Sequence, residues 1–255
     1  MTAKTTPADV KIPPRDLHFD FRGANERHWL GGDPVGTAVF NALSLTFPDG
    51  ERMFIDAVRH YRDRVDGKLA EDVKGFIAQE AIHSREHHQL NSVIDRDFYP
   101  VADIEAWIKE RVTFARSRGP MRMLMSTIAL EHFTAMMADI HAANQDLFNG
   151  APPGIERMWR WHAMEETEHK AVAYDVFMAA TKDWTPLQRY VRRCLVMAII
   201  GVMFPRNIAR YAAHLLQADG YSKEDALKAV KHFLWREPGI FGRGWKLFFA
   251  WFRPG

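Results

Sequence analysis

Two Glu-x-x-His pairs stand out among the residues able to do chemistry: Glu80 with His83, and Glu166 with His169. On a helix, residues three or four apart share a face. Each pair therefore aims a carboxylate and an imidazole at one point. His162 lies one turn before Glu166, which extends the second pair to His162-x3-Glu166-x2-His169. Oxygen and imidazole donors in this mixture suit iron or manganese, with zinc less suited.

A two-metal centre of this type needs one more Glu from each of two other helices. Glu51 shares a face with Phe54, Ile55 and Val58, and Glu131 follows Leu124 and Ile128 on an apolar stripe. The expected metal ligands are Glu51, Glu80, His83, Glu131, His162, Glu166 and His169, around two iron ions, two manganese ions or one of each. Two divalent cations offset four converging carboxylates, whose burial would otherwise be very costly. His162 is preferred as a second imidazole for one metal over a core histidine bonded to a carbonyl. His87, four residues after His83, is placed either behind the ligands or at the edge of the pocket. Tyr174 and Asp175 are candidates to orient ligands from behind. Glu86, His88, His132, Glu165 and Glu168 are expected to face solvent. No catalytic residue separate from the metal ligands is expected.

Four long helices must present these side chains. The apolar pattern is helical from Val35, and Pro48-Asp49-Gly50 is read as a break before a helix over 48–65. A second long helix is expected over 69–95, and a shorter one over 103–116 as part of a crossover. A third long helix opens at Gly119-Pro120 and runs to about 148, and the fourth covers 155–180. A further helix over 187–217, kinked at Pro205, and another begun by Ser222 complete the reading. The order Glu51, Glu80-x-x-His83, Glu131, Glu166-x-x-His169, with its longest gap in the middle, is that of an all-α, ferritin-like four-helix bundle with additional C-terminal helices. Residues 1–33 are expected to form an arm, 34–235 the helical domain, and 236–255 an aromatic and basic tail.

The 255 residues carry a formal net charge of +2, with 47% hydrophobic and 26% charged residues. That balance gives no electrostatic case for a nucleic-acid partner. The single cysteine, Cys194, excludes an internal disulfide framework and fits a reducing compartment. The polar start MTAKTTPADVKIPPRD has no apolar leader core, so a cytoplasmic location is expected. The tail, with Phe241, Trp245, Phe248, Phe249 and Phe252 beside Arg243, Lys246 and Arg253, suits peripheral membrane contact or packing on its own domain or a homodimer partner. Packing is the preferred expectation.

The segments GGDPVGTAVFNALSLTFPDGERMFI, FIAQEAIHSREHHQLN, ALEHFTAMMADIH and MWRWHAMEETEHKAVAYDVF closely resemble a bacterial family labelled predicted metal-dependent hydrolase, over roughly residues 15–235. Some members of that family end in a histidine-bearing tail, whereas this chain ends Trp251-Phe252-Arg253-Pro254-Gly255. The motif His162-x3-Glu166-x2-His169 is also similar to that of di-iron arylamine N-oxygenases, which implies the same seven ligands.

Three functions follow as expectations. The first is an O2-dependent oxidase or oxygenase for an apolar or aromatic small molecule, drawing on an electron donor; Met53, Phe54, Met121, Met125, Phe133 and Met136 would suit such a substrate or simply be core. The second is the di-metal hydrolase of the family label. The third is a non-catalytic metal-binding protein.

Overall fold

Proline sets where four of the long helices begin. Its fixed φ suits the first turn, where a backbone N–H would have no partner. It opens α1 (Pro34–His60), α4 (Pro120–Ala143), α5 (Pro153–His169) and α7 (Pro186–Ala218). The Asp33 carboxylate caps α1, and Thr185 with Gln188 forms a capping box on α7. Between these lie α2 (Gly67–Ser92), α3 (Val101–Ser117) and α6 (Val172–Ala180), followed by α8 (Lys223–Trp235) and α9 (Trp245–Ala250). The computed structural model describes residues 11–23, 26–169 and 171–254, without the side chain of His169. Those residues form an all-α fold, and none of them is in a strand.

Three boundaries differ from the sequence expectation. The break at Pro48 is absent, and α1 runs straight through it. A proline inside a helix leaves the carbonyl four residues earlier without its donor. Here that carbonyl belongs to Ser44, and Asn91 Nδ2 on α2 donates to it at 3.0 Å. Tertiary contact repairs what local sequence breaks. The helix expected over 155–180 is instead α5 and α6, with a turn at Ala171 whose carbonyl accepts from Asp175 N at 2.8 Å. The third long helix stops at Ala143 and gives way to a 3-10 turn over Gln145–Phe148. If Asn91 carries out the repair, Asn91→Ala should lower the free energy of unfolding by about 1–3 kcal/mol, since a buried acceptor is stranded. Urea titration measures this, and an unchanged midpoint would refute the repair.

Helix α1 is the hub, packing on α2, α3, α4, α7 and α8. The buried apolar residues fall into two clusters. One holds Phe40, Phe47, Leu90, Phe133 and Trp161; the other holds Phe54, Phe76, Ile128 and Val172. Helices α1, α2 and α4 each pass from one cluster to the other, as does the path from α5 into α6. Each crossing carries a glutamate between the two clusters: Glu51 between Phe47 and Phe54, Glu80 between Phe76 and Leu90, Glu131 between Ile128 and Phe133, Glu166 between Trp161 and Val172. The acidic centre is the seam of the core.

Residues 11–23 run as coil across α2 and α5. Gln79 Nε2 donates to Pro13 O, and Arg85 to Leu17 O. The approach is close enough to require glycine on both helices. A methyl on Gly75 would overlap Ile12 O, and one on Gly154 would overlap Asp20 O. At the other end, Phe241 is buried and Phe248 packs on Phe133, as the packing expectation for the tail requires, whereas Trp245 and Phe249 are exposed. By length and composition alone α7 could cross a membrane, and 28% of its most apolar 18-residue stretch is buried in the fold.

Candidate metal centre

Glu51, Glu80, His83, Glu131, His162 and Glu166 all lie in the seam, none more than 3% exposed. Three overlapping groups each bring one donor atom per residue within 4.8 Å: Glu51 with Glu80 and His83, His83 with His162 and Glu166, and Glu51 with His87 and His162. His169 ends α5, and its side chain lies outside the described residues.

Electrostatics ties the four glutamates together. Burial pushes the carboxyls of Glu51 and Glu80 well above the usual range. The charges of Glu131 and Glu166 push both in the same direction, and Glu51 acts likewise on Glu80. Neither oxygen of Glu51 has a hydrogen-bond partner, and the side chain is only 1% exposed. Burying a carboxylate this way is unfavourable unless a proton or a cation neutralises it. Cations bound by carboxylate and imidazole fit the donors present.

Each imidazole is oriented from behind. His83 Nε2 donates to Glu165 Oε2 at 2.9 Å, and the other oxygen of Glu165 accepts from Arg15 at 2.9 Å. Arg15 also spans both oxygens of Glu168, at 2.8 and 2.6 Å. With its Nε2–H committed to Glu165, His83 turns Nδ1 toward Glu166, 3.7 Å away. This is the carboxylate–histidine arrangement that fixes the tautomer of a metal-binding imidazole.

His162 is oriented by a longer chain, whose directions follow from one group that can only accept. Asn91 Nδ2 must face the Ser44 carbonyl, so Asn91 Oδ1 faces Ser44 Oγ and accepts its proton at 2.7 Å. Ser44 has no second proton. It therefore accepts from His87 Nδ1 at 2.8 Å. Burial, reinforced by the His162 charge, pushes His87 well below the usual histidine range, so its Nε2 carries a lone pair. That nitrogen accepts from His162 Nδ1 at 2.7 Å. The Nε2 of His162 is left facing Glu166 at 3.0 Å and Glu51 at 3.9 Å. The His83 and His162 rings stack with centroids 4.2 Å apart. They present different nitrogens to the same space.

Three expectations about surface residues are wrong. Glu165 and Glu86 are fully buried, and Glu168 is largely covered. Glu165 and Glu168 are held by Arg15, while Glu86 pairs with Arg85 and accepts from Phe19 N at 3.3 Å. Helical spacing points these carboxylates away from the ligand face, but the coil over 11–23 covers that side and supplies the arginine. His88 is exposed as expected, whereas His132 is half-buried: its Nε2 donates to Leu247 O at 3.0 Å, and its ring lies 5.0 Å from that of Trp251. His141, which spacing did not single out, is buried among Phe40, Phe148 and Trp159. Burial, with the charges of His162 and Arg160, pushes it down to about 3.

A cavity of about 560 Å³ reaches the centre from the side bounded by α1, α3, α4 and α7, with Glu51 in its wall. Its walls are chiefly apolar.

No curated protein matches the chain, and no solved structure does. A family model does, over residues 13–255, and this span contains every residue of the seam. The chain therefore belongs to the family described as predicted metal-dependent hydrolase.

Proposed function

We propose that the chain is a hydrolase whose centre holds two metal ions in a ferritin-like set of ligands: Glu51, Glu80, His83, Glu131, His162 and Glu166, with His169 as the seventh. The buried Glu51 carboxylate, without a hydrogen bond and facing two other glutamates, carries this reading. Iron or manganese suits the donors. When bound, such ions polarise a carbonyl or phosphoryl oxygen and make water acidic enough to attack it. The chain's own contribution is positional. Glu165 holds His83 to its Nδ1, and His87 holds His162 to its Nε2. Glu51 belongs to both the centre and the cavity wall, so a substrate in the cavity meets the centre there. The apolar walls exclude water from the rest of the substrate.

A second reading is favoured by one observation: the cavity that leads to Glu51 is chiefly apolar. That suits O2-dependent oxidation of an apolar molecule, with an electron donor as partner. One experiment separates the two. Protein stripped with a chelator is reloaded anaerobically with Mn(II), Fe(II) or Zn(II) and given nitrophenyl esters and phosphoesters. The hydrolase reading expects metal-dependent release of nitrophenol without O2. Absence of that release, together with O2 uptake by the Fe(II) protein, would replace it with the oxidase reading.

A further inference from the structure

We infer that the cavity binds a single-chain amphiphile with an anionic head group. The inference goes beyond the proposed function, and its evidence is separate from the metal centre. The walls include Phe54, Leu130, Ile200, Met203 and Phe204, which suit a hydrocarbon chain. Along α4 the lining runs from Arg122 to Thr134, a helical rise of ~18 Å. The space is therefore long, and its volume of about 560 Å³ is that of a small-molecule site.

The charge on the lining has one sign at its outer edge. Arg111, Arg118 and Arg122 all line the cavity and are exposed. Among the described residues none of the three forms a salt bridge, whereas Arg116 on the same helix as Arg111 pairs with Asp56. Arginines without carboxylate partners at the mouth of an apolar space complement a carboxylate or phosphate head. Phe114 and Ile199 also line the cavity while being 62% and 52% exposed, so the opening itself is apolar on its outer surface. A chain can enter there without crossing a polar rim, leaving its head among the arginines and its methylenes extending toward Glu51. A cationic head would be repelled, and a neutral one would leave the arginines uncompensated.

Displacement of a fluorescent fatty acid tests this on metal-stripped and metal-loaded protein alike. The competitors are fatty carboxylates, alkyl phosphates, fatty alcohols and alkyltrimethylammonium ions of equal chain length. Carboxylate and phosphate should both displace the probe, with the phosphate arm showing whether a lipid-type phosphate head serves as well as a free acid. The alcohol should be about tenfold weaker, and the ammonium ion weaker still. Each added methylene should strengthen binding by about fourfold until the cavity is filled. The triple variant R111Q/R118Q/R122Q should lose the preference for anions while keeping the dependence on chain length. S126W, which fills the cavity, should abolish binding; the arginine variant, altered only at exposed positions, decides the matter if S126W does not fold. Equal affinity for alcohol and carboxylate, or an anion preference that survives in the triple variant, would overturn the inference. Because binding is read without turnover, failure here leaves the hydrolase reading standing, and failure of hydrolysis leaves this binding standing.

Discussion

Protein stripped of metal should lose stability as pH rises above about 6.5, and protein loaded with metal should not. Glu51 and Glu80 have folded-state carboxyls well above their ordinary value of 4.5. Between the ordinary and the raised value, the folded chain binds more protons than the unfolded one. Unfolding free energy therefore falls as pH rises through that window, by up to about 1.4 kcal/mol per pH unit per group. Buried histidines act in the opposite sense. His87 and His141 are pushed below their ordinary 6.5, so their contribution is lost as pH falls below that value. Below about pH 6.5 the two effects oppose each other, giving a shallow profile. Above it the histidines are neutral in both states and the carboxylates act alone.

Metal should reverse the slope. Ions that bind only the folded chain add about 4 kcal/mol at a thousand times their dissociation constant. They displace protons, so they bind better as pH rises. Glu80→Gln should then have opposite effects in the two states: more stability for the stripped protein at about pH 8, less for the loaded one. Chemical unfolding across the pH range, with and without Mn(II), measures both. Stripped protein that grows more stable from neutral to alkaline pH would show that the glutamates do not share one buried space.

The clustering of Glu51, Glu80, His83, Glu131, His162 and Glu166 was legible because helical spacing survives any change in what surrounds a helix. The pairs Glu80/His83 and Glu166/His169 need only a helix, and Glu51 and Glu131 need only a stripe. What spacing hides is whatever another segment brings. Pro48 looks like a break until Asn91 supplies the missing donor from α2. Glu165 points away from its own motif, and so looked solvated; Arg15, 150 residues earlier, makes it part of the support for His83. A polar, proline-bearing coil gave no signal that it would lie flat on α2 and α5, although Gly75 and Gly154 on otherwise helical stretches are the traces of that contact. The two-cluster core was equally invisible. It depends on where the helices cross, which periodicity along one helix does not encode.

The support behind the imidazoles should show a graded loss of metal affinity with distance from the centre. Glu165→Ala removes the acceptor that commits His83 Nε2–H, freeing the ring to present a proton where Nδ1 now faces Glu166. Loss of such a partner costs about 10–100-fold in affinity. His87→Phe should cost about as much by the same argument, since His162 Nδ1–H loses its acceptor and the ring can reverse its tautomer. Ser44→Ala should cost less. It leaves His87 in place and removes only the group that fixes which of its nitrogens is protonated. Arg15→Ala should also be mild, because its guanidinium is partly exposed and acts on Glu165 through solvent as well as directly. Competition with a fluorescent chelator gives the affinities. Nitrogen-15 NMR of histidine in the zinc-loaded protein gives the tautomers: the wild type should show His83 bound through Nδ1 and His162 through Nε2. A merely structural role would weaken binding without moving those signals. If His87→Phe leaves His162 bound through Nε2 at full affinity, the chain from Asn91 through Ser44 and His87 does not set the tautomer, and burial alone orients His162.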